Sequence, residues 1–359
     1  MRAGRKSARF PPLENLLKYN ENTNRFRTVG QECVSSRRRN FNQDGEKVKV
    51  RFWGVRGSIP APLSSLQVKA KITAVVQRIG VNDLASPDAR ERFISKLPDW
   101  IFGTTGGNTP CLELRGSDGT EIILDAGTGI RCLGRAPDLP KSKHFHLFFS
   151  HFHWDHIQGL PFFDPVYDND TTFDVYSALE NARDLLVAQQ ENPYFPAHFS
   201  ALTPHFTFHT VKSGAPFAVG GFTVNSCAMS HPGGSQSFAF VENGRKFVYA
   251  TDVELSQRDF ASTPEHESVF RNADCIVLDS QYTVEEAHRK VNWGHSAFCN
   301  AVDFAVNWGI KKMFLFHHEP AYDDKKLNSI LNSARWYAQY IIHSDIEIFL
   351  AVENREIEI

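Results

Sequence analysis

Residues 150–160 constrain this chain more than any other stretch, with the sequence Ser-His-Phe-His-Trp-Asp-His-Ile-Gln-Gly-Leu. They follow His-Leu-Phe-Phe at 146–149, which predicts a buried strand, and they lead into Gly159 and Pro161, which interrupt regular structure. The three imidazoles of His151, His153 and His156 and the carboxylate of Asp155 therefore leave a strand within six positions. A turning backbone can aim all four at one point.

Leaving clustered imidazoles and a carboxylate unpaired at a buried strand end would be costly, so this run predicts a metal site. A single histidine in such a place is more often an ordinary core or surface residue, and only the combination indicates a ligand set. Imidazole suits zinc, iron, nickel and manganese to different degrees, and the carboxylate makes the site harder than a cysteine cage. The run does not choose among these metals.

Other apolar runs also end in a polar side chain. Residues 222–230 lead to His231, 247–250 to Asp252, 275–278 to Asp279, and 313–316 to His317 and His318. In open sheets covered by helices, functional groups gather at the carboxyl ends of the strands. The repetition predicts an α/β protein, α+β by some schemes, with one site along a sheet edge.

The composition limits the classes of function. The chain has 359 residues, 42% of them hydrophobic, and a formal net charge of -2, which argues against broad binding to nucleic acid. Its six cysteines form no Cys-x-x-Cys pair and no apolar stretch reaches the length of a membrane span. We therefore expect a cytoplasmic protein that does not enter a membrane.

The domain organisation is predicted from a change in pattern near residue 47. Residues 1–47 are polar and basic, include Arg-Arg-Arg at 37–39, and predict a flexible basic extension. Residues 48–359 predict one catalytic domain. Within it, apolar residues at helical spacing indicate a helical insertion at about 66–97, which could form a lid, a subunit contact in a homodimer, or a plain cover for the sheet.

Three further side chains have roles that the residues alone leave open. Asp125 follows the strand at 122–124 and could support a metal-bound imidazole from behind or cap the helix that begins near Ile130. Tyr194 lies in the aromatic segment 193–196 and could stack on a base or simply pack. Asn108 follows the tight Gly106–Gly107 backbone and is a candidate substrate contact.

Five motifs together resemble the metallo-β-lactamase superfamily. They are Phe-Trp-Gly-Val-Arg-Gly-Ser-Ile-Pro at 52–60, Gly-Gly-Asn-Thr-Pro-Cys at 106–111, Asp-Ala-Gly-Thr-Gly at 125–129, the histidine run at 150–161, and Phe-His-His-Glu-Pro at 316–320. The resemblance implies an αββα sandwich with a dinuclear metal site at one edge, holding two divalent ions such as Zn, Mn or Fe.

The resemblance also implies roles for individual residues. His151, His153 and His231 correspond to the first metal site; Asp155, His156 and His317 to the second; Asp252 to the carboxylate that bridges them. His318 is the alternative to His317 and otherwise a supporting residue, like Asp125. His295, in Gly-His-Ser at 294–296, corresponds to a general acid or phosphate-binding group, with Ser296, Asn108 and Tyr194 as further substrate contacts. Asp155, Asp252 and His295 are the candidate catalytic residues.

Aspartate rather than cysteine at position 252 is the pattern of superfamily members that act on phosphoesters. The same five motifs also resemble, more narrowly, a subgroup that is grouped with the phosphoribosyl cyclic phosphate phosphodiesterases and includes enzymes that hydrolyse cyclic nucleotides, and ribonuclease Z shares the Gly-His-Ser segment. We therefore expect a metal-dependent phosphodiesterase that hydrolyses a small cyclic phosphodiester, with cyclic AMP or cyclic GMP preferred, through a hydroxide bridging the metals. The alternatives are an RNA-processing nuclease of the ribonuclease Z kind and a non-catalytic metal-binding sensor or scaffold.

Overall fold

A computed structural model describes residues 47–139, 143–202 and 205–359 of the chain. The predicted basic extension at 1–47 lies outside the described residues except for Lys47. The remaining description concerns the domain that follows it.

The domain is built on two seven-stranded sheets. The first has the order β14-β1-β2-β3-β4-β5-β6. Its strands are β1 (Lys49–Gly54), β2 (Cys111–Arg115), β3 (Glu121–Leu124), β4 (His144–Phe148), β5 (Thr172–Ser177), β6 (His205–Thr210) and β14 (Glu356–Glu358).

The second sheet has the order β13-β12-β11-β10-β9-β8-β7. Its strands are β7 (Phe217–Val219), β8 (Phe222–Met229), β9 (Ser235–Glu242), β10 (Arg245–Ala250), β11 (Cys275–Asp279), β12 (Lys312–Phe316) and β13 (Glu347–Leu350). In each sheet one half is antiparallel and the other is parallel: β3 to β6 run parallel in the first, and β10 to β13 in the second. The parallel strands point their carboxyl ends to one edge, as the sequence pattern required.

Ten α-helices accompany the sheets in the described residues. They are α1 (Ser65–Val76), α2 (Pro87–Ser95), α3 (Asp99–Phe102), α4 (Ile130–Leu133), α5 (Trp154–Ile157), α6 (Ala182–Gln189), α7 (Pro264–Phe270), α8 (Val284–Arg289), α9 (Phe298–Asn307) and α10 (Asp324–Tyr337). Short 3-10 turns occupy Val81–Leu84, Leu160–Phe162, Asp164–Tyr167 and Phe199–Ala201, and a π turn occupies Ala338–Ile342.

Three layers of buried apolar side chains hold the four layers of structure together. Phe148 of the first sheet meets Phe238 and Phe240 of the second edge-to-face, and these rings belong to the core between the sheets. A second core joins the first sheet to α4, α5 and α6. A third joins the second sheet to α7, α9 and α10. Each sheet is thus buried on both faces, by the other sheet on one side and by helices on the other. This arrangement confirms the predicted αββα sandwich.

The predicted helical insertion is present as α1, the 3-10 turn Val81–Leu84 and α2. Its start is fixed by Ser64, whose hydroxyl accepts a hydrogen bond from the Gln67 amide while the Gln67 side chain accepts from the Ser64 amide. Neither helix buries a residue, and Leu66 and Ile72 are exposed. A lid or a subunit contact at this insertion stays a prediction.

No helix in the described ranges is both long and apolar enough to cross a membrane.

Candidate dinuclear metal centre

The polar groups that follow the strands converge on one cleft between the two sheets. Three of the turns that deliver them are left-handed at a residue other than glycine: φ is +59° at Asp125, +50° at Asp252 and +58° at His317. Such backbone conformations are unfavourable for residues with a Cβ and persist only where the surrounding structure fixes them. The chain therefore turns sharply at the point where each side chain must enter the cleft.

The first group of ligand-type atoms comes from His151, His153 and His231 with Asp252, and all its atoms lie within 4.8 Å of one another. Oδ2 of Asp252 is 3.6 Å from Nε2 of His151 and 3.8 Å from Nε2 of His231. His231 Nε2 is 3.2 Å from Nδ1 of His153, and Gly294 O lies 2.8 Å from Nδ1 of His231. That carbonyl fixes the imidazole of His231 with Nε2 towards the cleft.

The second group consists of Asp155, His156 and His317, all buried. Oδ2 of Asp155 lies 3.3 Å from Nε2 of His156 and 3.1 Å from Nε2 of His317. The same two imidazole nitrogens lie 3.1 Å and 3.3 Å from Oδ1 of Asp252.

Asp252 thus presents one carboxylate oxygen to each group. Oδ1 faces His156 and His317, and Oδ2 faces His151 and His231. A carboxylate placed in this way can bind two cations at once. The bridging role that the resemblance implies for Asp252 stays a prediction, and this arrangement is compatible with it.

The first group of imidazoles is held in the neutral form, whereas at His156 the carboxylates of Asp155 and Asp252 outweigh burial and raise the pKa well above its ordinary value. Burial lowers the pKa of His151 well below its ordinary value, with the His156 imidazole adding to the effect, and burial also lowers the pKa of His153 and of His231. A neutral imidazole is the form that binds metal. For Asp252, burial raises the pKa, but neighbouring imidazoles led by His317 outweigh it and hold the pKa well below its usual range.

A further observation shows that the cluster fits divalent cations. The Nε2 atoms of His151 and His156 are fully buried and neither has a hydrogen-bond partner among the described residues. Buried polar atoms in folded proteins nearly always have partners, so an unpaired imidazole nitrogen within 4 Å of a carboxylate indicates a position where an ion belongs. Five imidazoles and two carboxylates form a donor set that borderline metals such as zinc accept.

Asp125 lies directly behind this cluster. Its Oδ2 is 2.8 Å from Nδ1 of His156, and it accepts hydrogen bonds from the hydroxyls of Ser150 and Tyr249, both at 2.7 Å. Helix α4 is preceded by Gly129 without a side-chain cap. Of the two roles left open for Asp125, the structure shows contacts for the support of a ligand, since a carboxylate on Nδ1 orients Nε2 towards the metal position.

His295 stands at the edge of the cleft with a carboxylate of its own. Its Nδ1 is 2.7 Å from Oδ2 of Asp279 and 4.0 Å from Oδ2 of Asp252, and its ring stacks on that of His317 at 4.8 Å. Burial would lower the pKa of His295, but Asp279 and then Asp252 outweigh it and raise the pKa to about 9. The contact with Asp279 therefore favours the protonated form of this imidazole.

The motif at 52–60 builds the wall beneath the second group. A Cβ added to Gly57 would lie 2.4 Å from Nδ1 of His317, so this position requires glycine. The next amide, that of Ser58, donates to Oδ2 of Asp155 at 2.8 Å. Arg56 is buried and donates to the carbonyls of Gly106 and Tyr322. The motif thus positions a ligand pair through its backbone.

Four predicted site residues lie outside the ligand cluster. The His318 imidazole is buried and 2.9 Å from the Ala351 carbonyl oxygen. The Ser296 hydroxyl donates to Val253 O and accepts from the Leu255 amide. The Asn108 amide group bonds Glu353 and Thr128, and Tyr194 is 82% exposed on a surface loop. The substrate contacts predicted for Ser296, Asn108 and Tyr194 stay predictions.

Sequence reasoning assigned no role to three residues that the structure brings into the site. Asp279 is the last residue of β11, and its position at a strand end was the sequence feature that could have indicated a role in the site. Ser150 and Tyr249 both bond Asp125 and carry no comparable signal. A buried hydroxyl close to a strand end, just after β4 for Ser150 and just before the end of β10 for Tyr249, looks like ordinary core until the partner carboxylate is known.

The four-layer sandwich, with histidine and aspartate side chains at the strand ends, is the metallo-β-lactamase fold. The family model described as the beta-lactamase superfamily domain matches residues 120–318, which is more than half of the chain. The chain therefore belongs to the beta-lactamase superfamily.

Two curated relatives are both ribonuclease Z. The protein from Picrophilus torridus is 30% identical over 95 residues, which are 26% of this chain and 28% of that protein. The protein from Acaryochloris marina is 23% identical over 275 residues, 62% of this chain and 86% of that protein. The chain thus matches less than a third of the length of the first relative.

Among solved structures, unliganded yeast PDE1 superposes with a TM-score of 0.58 and 14% identity, over 87% of this chain and 99% of that protein. At this identity the likeness describes the fold.

Proposed function

We propose that this protein is a metal-dependent phosphodiesterase acting on a small cyclic phosphodiester, with a cyclic nucleotide as the preferred substrate. The observation that carries the proposal is the Asp252 carboxylate, which presents Oδ1 to one imidazole pair and Oδ2 to the other. The residues that would hold the two ions are His151, His153 and His231 on one side, Asp155, His156 and His317 on the other, and Asp252 between them.

A pair of divalent ions about 3.5–4 Å apart would activate water and neutralise charge on both sides of a phosphorus atom. The protein's part is to fix that geometry. Asp252 is held by the left-handed turn at its own backbone and by Thr251, whose hydroxyl donates to Oδ1 at 2.6 Å. Asp125 and the Gly294 carbonyl orient His156 and His231 from behind. A site fixed in this way lowers the cost of reorganisation during reaction.

His295 is placed to deliver a proton to the departing oxygen. Asp279 occupies its Nδ1, which leaves Nε2 as the nitrogen for a substrate oxygen. A cyclic phosphodiester releases an alkoxide on ring opening, and an alkoxide is a poor leaving group that needs a proton. Proton transfer from His295 would accelerate hydrolysis most for a substrate with such a leaving group.

Two exposed tryptophans favour a nucleotide among the small phosphodiesters. Trp154 directly follows the ligand His153 and is 79% exposed, and Trp293 lies two residues before His295 and is 63% exposed. Large exposed aromatic side chains next to a site are suited to stacking on a planar base. Each tryptophan is within two residues of a histidine of the site, and His153 itself lies 3.2 Å from His231.

A ribonuclease Z-like activity is the second candidate, since both curated relatives carry that name. The same cation pair would cleave an RNA phosphodiester. The net charge of -2 supplies little attraction for a polyanion as long as transfer RNA, which supports the small substrate.

The test is hydrolysis of bis(p-nitrophenyl) phosphate, cyclic AMP, cyclic GMP and a precursor transfer RNA by protein supplied with Mn²⁺ or Zn²⁺. The variant Asp252→Asn replaces the carboxylate with a neutral amide of nearly the same shape, which leaves one oxygen in place of two. Asp274→Asn is the matched control. Asp274 lies just before β11, at the end of that strand opposite to Asp279, and its carboxylate accepts hydrogen bonds from the Lys246 amide and the Lys311 side chain.

Turnover of a cyclic nucleotide that is lost in Asp252→Asn and kept in Asp274→Asn is the expected result. Cleavage of the precursor RNA alone would select the second candidate. Protein that binds two ions and turns over none of the four substrates would overturn the catalytic proposal in favour of a sensor or scaffold.

A further inference from the structure

A second cluster of metal-ligating side chains lies on strands β4, β5 and β6, away from the cleft. His144 and His146 are two residues apart on β4, so both side chains point to the same face of the sheet. Asp174 pairs directly with His146 in the parallel register between β4 and β5. The backbone therefore places two imidazoles and a carboxylate side by side.

The three ligand atoms are close enough to share one ion, since all lie within 4.8 Å of one another. Nε2 of His144 is 2.6 Å from Oδ2 of Asp174, and Nδ1 of His146 is 3.8 Å from the same oxygen. The side chains of His144, His146 and Asp174 are 49%, 14% and 22% exposed. An ion can thus enter from solvent and still be partly enclosed.

Neighbouring side chains hold this cluster in position. Nε2 of His209 on β6 is 2.7 Å from the other carboxylate oxygen of Asp174. Tyr176 stacks on the His209 ring at 4.8 Å, and its hydroxyl is 3.3 Å from Nδ1 of His146. A carboxylate oriented by an outer imidazole is the arrangement that supports metal ligands elsewhere.

The cluster is separate from the dinuclear centre. His146 lies near the middle of β4 and His151 lies beyond its carboxyl end, five residues or roughly 15 Å along an extended chain. No ligand atom of one group appears in the other.

We propose that His144, His146 and Asp174 bind a borderline divalent transition metal, of the zinc, nickel or copper(II) class, at a second site on strands β4 and β5 of the first sheet. Two imidazoles and one carboxylate leave a coordination position for water or a fourth ligand, and this donor set selects such metals over magnesium or calcium. His209 positions Asp174. The competing description is a set of hydrogen bonds between the histidines and Asp174 without an ion.

The experiment measures zinc bound per chain by equilibrium dialysis of the full chain at pH 7.5, with Cu²⁺ electron paramagnetic resonance as the second readout. Asp174→Asn removes the charged oxygen donor, and His144→Gln removes a ligand from an exposed position where folding is least disturbed. His288→Gln is the matched control, because His288 is an exposed helical histidine on α8. Circular dichroism verifies that each variant is folded.

The wild-type chain and His288→Gln should bind one more zinc ion than Asp174→Asn, and His144→Gln should bind that ion more weakly by roughly tenfold or more. In His144→Gln the nitrogen hyperfine pattern of copper at this site should change from that of two imidazole nitrogens to that of one. Equal stoichiometry and affinity in all four proteins would overturn the proposal. Because the readout is bound metal, this result is independent of whether the dinuclear centre hydrolyses a phosphodiester.

Discussion

Nδ1 of His295 lies 2.7 Å from Oδ2 of Asp279, and this contact separates His295 in function from the histidines that surround Asp252. Asp252 is shared by the imidazoles of His151, His156, His231 and His317. His295 has a carboxylate largely to itself, and Asp279 also accepts from the backbone amides of Val253 and Gln281. The pair is a proton-holding unit at the rim of the ligand cluster.

We expect His295→Gln to slow cyclic nucleotide hydrolysis by roughly 100-fold or more while slowing bis(p-nitrophenyl) phosphate hydrolysis far less. The reason is that p-nitrophenolate leaves without a proton, whereas a ribose alkoxide needs one. Comparing kcat for the two substrates measures the difference. Asp279→Asn should also slow cyclic nucleotide hydrolysis more than bis(p-nitrophenyl) phosphate hydrolysis, with a smaller decrease in kcat than His295→Gln. Equal losses on both substrates would mean that His295 acts in binding or structure instead.

We expect His317→Ala and His318→Ala to fail in different ways. Nε2 of His317 lies 3.1 Å from Asp155 and 3.3 Å from Asp252, so its loss should lower the bound metal from two ions to one. His318 contacts the Ala351 carbonyl, and burial lowers its pKa to about 3, so its loss should reduce thermal stability and leave the metal content unchanged. Metal analysis of folded protein and a thermal melt distinguish the two. Unchanged metal content in His317→Ala would reverse the assignment.

We expect Asp125→Asn to weaken metal binding by about 10–100-fold, the usual cost of removing a carboxylate that orients a ligand imidazole. Tyr249→Phe is the matched comparison, because it removes one hydrogen bond to Asp125 and leaves the charge in place. Its effect on affinity should be several times smaller. Competition with a chelator of known affinity provides the measurement, and identical affinities for the two variants would contradict the role given to the charge.

We expect the protein to lose stability between about pH 4.5 and pH 8 through Glu121. Burial raises the pKa of Glu121 from 4.5 to about 8; Arg115 opposes this shift and Glu113 adds to it. Because the folded state holds the proton more tightly than the unfolded chain, the stabilisation is complete below the unfolded pKa and is lost as the pH rises through the folded value.

Glu121→Gln cannot lose that proton, so its free energy of unfolding should vary less over this range and exceed that of the wild type at pH 9 by about 1–2 kcal/mol. Glu347→Gln is the control, since Glu347 is an exposed partner of Lys312. Denaturant unfolding at pH 5, 7 and 9 gives the comparison. A parallel pH dependence in wild type and Glu121→Gln would exclude the proton on Glu121 as the cause.

The strands and the convergence of their ends could be predicted because apolar runs and the polar residues that terminate them are local features. The histidine run at 150–156, His231, Asp252 and His317 were all identified in this way, and the structure places them around one cleft. The choice between His317 and His318 could not be made from spacing. It depends on the left-handed turn at His317, which sends neighbouring side chains in opposite directions.

Contacts that depend on strand pairing could not be predicted from the sequence. His144 and His146 are ordinary members of an apolar strand until the register with β5 places Asp174 opposite His146. Tyr249 is likewise a core aromatic until the packing of the two sheets brings its hydroxyl to Asp125, which precedes it by 124 positions. Pairing of this kind is a property of the folded chain and has no local pattern.

The ligand cluster is divided between the two sheets. His151, His153, Asp155 and His156 follow β4 of the first sheet, while His231, Asp252 and His317 follow strands of the second. Each ion would therefore cross-link the two halves of the sandwich. A chain cut near residue 214, in the Gly-containing connection between β6 and β7, would leave two fragments that each carry half a site. Neither fragment could complete the set of seven without the other, so metal binding would serve as a direct reporter of their reassembly.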